Sequence, residues 1–173
     1  IFSFNKPGGR QNTTWNEFSL DAWTNLCRDP SICGSVGVSL QIAFVSTLFA
    51  TLLGTLISFA LVRHRFHGRT ATNLLIFLPM ATPEVVLGAS LLALFLNLGA
   101  SLGFVTILIA HIMFCISFVV VTVKARLAGL DPRLEQASMD LYADERATFR
   151  YVTLPLVMPG IASAALLAFS LSF

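Results

Sequence analysis

Few residues in this chain are of types that could do chemistry, and they do not compose an enzyme. Glu84 follows Thr82-Pro83 in the middle of an apolar stretch, and His111 stands alone in another. An ionisable group in such a place is costly unless it faces a partner or a water-filled path, so both are candidates for lining a transport path. Two readings stand for Glu84: negative charge offered to a cationic solute, or a helix cap or interhelical hydrogen bond. His111 reads as a helix–helix hydrogen-bond partner ahead of a proton relay. Neither stands in a cluster of three or more His, Cys or carboxylate ligands in the sequence, so no metal site is expected. Ser and Thr are abundant but lie within apolar stretches, with no base placed to activate them. A Gly-x-x-x-x-Gly-Lys-[Ser/Thr] loop is absent, so the chain has no phosphate cradle of that kind and any ATP it depends on must be bound elsewhere.

The elements that must position these residues are membrane spans. Hydrophobic residues make up 55% of the chain and charged ones only 12%, against about a quarter charged in ordinary soluble domains; the mean hydropathy is +0.79. About 20 helical residues cross the hydrocarbon core of a bilayer. Spans are expected at residues 35–62, 74–98, 104–123 and 155–173. The net charge of +2 is gathered beside the spans and forms no single patch, which argues against nucleic acid as a partner. Lys and Arg concentrate in short cytoplasmic loops. Residues 63–69 hold Arg63, Arg65 and Arg69; residues 97–103 hold none; residues 124–154 hold Lys124, Arg126, Arg133, Arg146 and Arg150. This alternation places 1–34 outside, with one short helix near 19–26, and 124–154 inside. The first residues lack an initiator Met and a leader pattern, and the last apolar run stops without a polar flank, so the chain is expected to be a fragment.

Within the second span, Glu84 lies about ten residues from the inner end, which at 1.5 Å per residue sets it about 15 Å deep. Thr82-Pro83-Glu84 also reads as a helix start, with Thr as cap and Pro as first residue. A break between Pro79 and Pro83 is expected, and broken helices at mid-membrane line transport paths. The first span carries Ser46, Ala50, Gly54 and Ser58 in one column beside Thr47, Thr51 and Thr55, which lets another helix approach closely, from this chain or from a second subunit. Cys27 and Cys33 form a possible disulfide in the outer segment, or remain two thiols. Cys115 reads as a small packed residue.

The segment 129–160 is too long for a turn and too apolar for a disordered linker. Asp131-Pro132 reads as a helix start, and Leu134, Ala137 and Leu141 recur at helical spacing, giving an amphipathic helix over about 132–143. Asp144-Glu145 opens a second helix and Leu154-Pro155 the next span. On these residues the chain resembles the membrane subunits of binding-protein-dependent ABC importers, whose loop reads Glu-Ala-Ala, three residues, Gly, nine residues, then Ile-x-Leu-Pro. Here the pattern falls on Gln136-Ala137-Ser138, Met139-Asp140-Leu141, Tyr142 in place of Gly, and Val152-Thr153-Leu154-Pro155. The leading Glu is Gln136, with Glu135 one position earlier.

The resemblance implies an all-α, polytopic transmembrane helix bundle of the type I importer permease kind, lacking its first and last spans. It implies a coupling helix that docks on an ATPase through Glu135, Gln136, Ala137, Ser138, Asp140, Leu141, Tyr142, Ala143 and Asp144. Ala137 and Ser138 would permit close approach, Leu134 and Leu141 would anchor, and the acidic residues would meet basic groups. The implied partners are an ATP-binding subunit dimer, a second permease subunit, an external solute-binding protein and membrane lipid, with no cofactor on this chain. Residues 2–5, 63–69, 83–84, 111–115 and 118–123 further resemble the spermidine/putrescine branch, which implies a polyamine for Glu84 to meet. Ferric iron, thiamine or sulfate remain alternative substrates, and a secondary transporter the more distant reading.

Overall fold

The computed structural model describes residues 2–6, 13–25, 30–64 and 66–173. The possible Cys27–Cys33 disulfide includes Cys27, which lies outside the described residues, as does Arg65 of the basic loop. Every regular element among the described residues is a helix, apart from one isolated bridge between Asn5 and Phe18. The chain divides into two compact units, Ile1–Leu40 and Gln41–Phe173, with the boundary inside one long helix.

The first unit is organised by Asn5, which is buried. Its side chain donates to the Thr14 carbonyl at 2.7 Å and accepts from the Asn16 amide at 2.8 Å. Phe4 stacks on Phe18 and Trp23, with ring centroids 6.0 and 5.7 Å away. The short helix expected near 19–26 is a single turn, α1 (Asp21–Thr24), where the Ser19 hydroxyl accepts from the Asp21 amide at 3.1 Å.

The second unit is a bundle of α2 (Pro30–Arg63, which begins in the first unit), α3 (Arg69–Ala81), α4 (Glu84–Asn97), α5 (Phe104–Ala128) and α8 (Leu154–Ser172), with α6 (Pro132–Asp140) and α7 (Glu145–Thr148) between α5 and α8. Three helical stretches, Ser31–Arg63, Phe104–Ala128 and Glu145–Ser172, are long and apolar enough to cross a membrane, and each covers an expected span. The core lies between α2, α5 and α8, where Ala50, Cys115, Val119, Val123, Val157 and Ala168 are all buried. The small-residue column of α2 faces this core. Ser46, Ala50 and Ser58 have no exposed surface; Ser58 Oγ lies 3.1 Å from the Val120 carbonyl of α5; a Cβ on Gly54 would come within 2.6 Å of Val119. Of the two readings of that column, packing within this chain is the one observed. Cys115 is packed as expected, its thiol 3.5 Å from the Ala168 carbonyl.

The second expected span is not straight. It is α3 and α4, bent by 109° at Thr82-Pro83. The break falls where expected because Pro79 and Pro83 lack the amides that would bond the carbonyls four residues earlier. Thr82 does not cap α4, contrary to expectation. A residue before proline is driven out of the helical region, so Thr82 is extended (ψ 135°) and its hydroxyl donates back to the Leu78 carbonyl at 2.7 Å. Pro83 is itself extended (ψ 130°) and Glu84 is the first helical residue. Two consecutive extended residues produce the bend, and the depth of Glu84 cannot be counted along one axis.

Candidate functional site

Two places gather the residues singled out above: the loop of α6 and α7, and a cleft beside α4. In the loop, the Asp131 carboxylate accepts from the Arg133 amide at 2.9 Å and caps α6 behind Pro132. The Asp144 carboxylate accepts from the Ala147 amide at 2.7 Å and caps α7. Each leaves one fewer helix amide without a partner. The helix expected to run to residue 143 stops at Asp140, so Leu141 does not continue its apolar face.

The stop has a definite form. Tyr142 has φ +63°, the only positive φ on a non-glycine residue among those described. Its amide donates to the Met139 carbonyl at 3.0 Å, and the Ala143 amide to the Ser138 carbonyl at 3.2 Å. This is a Schellman ending, with Tyr142 at the position glycine usually takes. The left-handed turn that a glycine would make here is kept with Tyr142, at a cost of about 1 kcal/mol for an L side chain in the left-handed region. Tyr142→Gly is therefore expected to raise stability by about 1 kcal/mol, measured as the thermal midpoint of purified protein in detergent; Tyr142→Val should lower it.

The strained turn presents its side chains outward. Tyr142 is 100% exposed and Leu141 81% exposed, and Gln136, Ala137, Met139 and Asp140 are exposed beside them. Ser138 is half-buried, its hydroxyl 3.1 Å from that of Thr148. Glu135 stands apart from this face. Its carboxylate pairs with Arg63 at the end of α2 and accepts from the Thr153 hydroxyl at 2.7 Å. Thr153 closes a π turn (Phe149–Thr153), where Leu154 donates to the Phe149 carbonyl five residues back; Pro155, having no amide, leaves the α pattern incomplete at this point.

The cleft is about 200 Å³ in volume, and Glu84 and His111 both line it, with Leu87 and Leu91 of α4, Phe114 of α5 and Leu171 of α8. His111 also makes the helix–helix hydrogen bond expected of it: Nδ1 lies 2.9 Å from Ser172 Oγ of α8. Ser172 Oγ is in turn 2.7 Å from Ser46 Oγ of α2.

The family profile described as binding-protein-dependent transport system inner membrane component matches residues 46–173. The chain belongs to this family. It is an all-α, multi-pass inner-membrane component of that kind, and the loop of α6 and α7 lies within the matched region. Among curated relatives, it is 39% identical over 170 residues to the spermidine/putrescine transport system permease protein PotC of Haemophilus influenzae, covering 98% of this chain and 65% of the relative. It is 41% identical over 172 residues to PotC of Escherichia coli, covering 99% and 64%, and 39% identical over 179 residues to the putrescine transport system permease protein PotI of that species, covering 99% and 63%. The chain thus spans just under two thirds of the length of these relatives.

Sequence reasoning did not single out Ser172; it gave Thr153 only as the variable position of the loop pattern, and Arg63 only as a charge of the basic loop 63–69, with no link to Glu135. For Ser172 a signal existed: it is a hydroxyl in an apolar run, and Ser46 offers another in the small-residue column.

Proposed function

We propose that this chain is the permease subunit of an ABC importer for polyamines, coupled to a separate ATPase through α6 and α7. Residues 1–34 then lie on the periplasmic side and 124–154 on the cytoplasmic side, following the distribution of Arg and Lys. An external binding protein delivers spermidine or putrescine, a second permease completes the path, and a dimer of ATP-binding subunits supplies the energy. This chain binds no nucleotide and needs no cofactor of its own. The observation that carries the reading is the exposed surface of Ala137, Asp140, Leu141 and Tyr142, at the spacing of the family's docking loop. Small residues allow close approach and the two large exposed side chains supply apolar area for a groove to cover. The polyamine reading draws on the relatives' names and on the Glu84 carboxylate, which lines a cleft that is apolar apart from it and His111.

The test is purification of the permease from its native membrane under mild detergent. A nucleotide-binding subunit should co-purify, and Ala137→Arg should abolish its retention without loss of the permease from the membrane. Reconstituted with a loaded binding protein, the complex should take up labelled spermidine or putrescine with ATP. Clean isolation of the permease alone would overturn the coupling, and uptake of sulfate or iron in place of polyamine would overturn the substrate.

A further inference from the structure

The cleft beside α4 contains more than a carboxylate. His111 is held from behind by a run of hydrogen bonds that joins α5, α8 and α2. Ser46 Oγ lies 3.2 Å from the Ala43 carbonyl, and a carbonyl can only accept. With Ser46 donating to Ala43, Ser172 donates to Ser46 and His111 Nδ1–H donates to Ser172; with Ser46 donating to Ser172 the run reverses. We take the first arrangement, in which every contact of the run is a hydrogen bond, and whose tautomer carries its proton on Nδ1 and leaves Nε2 as a lone pair. Nε2 has no partner among the described residues, nor does the Glu84 carboxylate, which sits in the first turn of α4 without capping it. The cleft therefore presents two hydrogen-bond acceptors and one full negative charge, with Phe114 beside them.

A second cleft of about 330 Å³ shares Gly88, Leu91, Ala110 and His111 with the first and runs on between α4 and α5 to Phe95 and Leu102. Its lining holds no charged side chain. Its one hydroxyl, on Thr106, is already engaged with the Gly103 amide and carbonyl, each at 2.9 Å. An acceptor-rich end leading into an apolar continuation fits a cation that bears N–H donors and trails a hydrocarbon stem.

We propose that this cleft seats one primary ammonium end of the substrate, with Glu84 and His111 Nε2 accepting its hydrogens, Leu91 and Phe95 covering its methylenes, and Ser172 and Ser46 holding His111 as an acceptor. The proposal rests on the polyamine reading above and adds to it two limits. Only one ammonium is met here, so the other charge of a diamine is met by groups outside this cleft. The recognition also needs N–H donors, so a quaternary ammonium of equal charge is rejected, as sites built for hydrogen bonding reject analogues that lack the donor.

The experiment uses the assembled transporter in proteoliposomes, with labelled putrescine delivered by saturating binding protein, and n-pentylamine or its N-trimethyl derivative as direct ligands of the purified complex. Glu84→Gln keeps the shape and removes the charge; His111→Asn places an amide nitrogen where Nδ1 was, keeping the bond to Ser172 while removing Nε2. Both should lower the maximal rate of putrescine uptake about tenfold, the size of one lost charge-assisted contact, with the KM set by the binding protein, and retention of the ATPase subunit, near wild type. Ser172→Ala should lower the rate by a smaller factor. Pentylamine should raise the thermal midpoint of the complex and its trimethyl derivative should not. A maximal rate unchanged in both Glu84→Gln and His111→Asn, or equal stabilisation by the two amines, overturns the site. If the wild-type transporter imports no polyamine, the reading above falls, and the site is judged separately by thermal shift of the purified complex: stabilisation by pentylamine that Glu84→Gln abolishes supports it, and no stabilisation overturns it.

Discussion

Gly54→Val is expected to remove most folded protein from the membrane, and Gly54→Ala to lower the thermal midpoint by several degrees. A Cβ at position 54 would lie 2.6 Å from Val119 Cγ1 and 2.8 Å from Val119 Cβ, distances that real carbon atoms do not adopt. Val119 cannot yield. It is fully buried, and its β-branched side chain is confined to one rotamer in a helix. The strain must therefore separate α2 from α5, and that separation also pulls Ser58 from the Val120 carbonyl and breaks the packing around Ala50. Overpacking of this kind costs about 1–3 kcal/mol, a large part of a total stability of about 5–15 kcal/mol. The check is fluorescence-detected size-exclusion of the detergent extract for both variants. Val119→Ala should rescue Gly54→Ala only in part, because it removes the contact with Cγ1 but keeps the Cβ at 2.8 Å. Val119→Gly, which removes both atoms, should relieve the clash itself; Gly54→Ala costing as much in the Val119→Gly background as in the wild type would show that the contact is not where the loss arises.

How much of this was legible beforehand depended on the range of the interaction. The three straight spans are local patterns of apolar residues, and they fell where they were expected. The break in the second span was also local, since two prolines four residues apart remove two backbone bonds whatever surrounds them. Its angle and the failed cap at Thr82 were not legible, because they depend on two neighbouring residues being extended at once, which the Thr-Pro-Glu pattern does not distinguish from a normal helix start. The turn at Tyr142 was not legible either. Its left-handed conformation opposes its own preference, and the helical spacing of Leu134, Ala137 and Leu141 placed it inside a helix expected to run to residue 143. The contacts that define the candidate sites are long in sequence: Arg63 meets Glu135 across 72 positions, and Ser46 meets Ser172 across 126. Periodicity says that each residue faces inward but does not say which distant partner it meets.

On the proposed coupling to an ATPase, Glu135→Lys is expected to cut ATP-driven uptake by about tenfold or more, within the range of coupling energies between sites, while the ATPase subunit stays bound and hydrolyses ATP. Glu135 was read from the sequence as part of the docking face, yet its carboxylate turns toward its own chain. One oxygen is shared by Arg63 at the end of α2 and by Thr153 at the start of α8, and Arg63 Nη2 also reaches the Thr153 hydroxyl at 3.3 Å. Arg63 is held in place by aromatic rings: it lies 5.8 Å over Phe59, which meets Phe149 edge-on at 5.3 Å. A displacement of α6 therefore acts at once on two spans through one carboxylate. The side chains of the pair are 37% and 31% exposed, so the pair adds only about 1 kcal/mol to stability, and its larger effect is geometric. Lysine at 135 would place two cations together and release both spans from the loop. Arg63→Glu combined with Glu135→Lys restores opposite charges and should recover part of the uptake, with the thermal midpoint nearly constant through the series. A docking role for Glu135 predicts the reverse pattern: the single variant would lose the ATPase subunit on purification, and changing Arg63 would not bring it back.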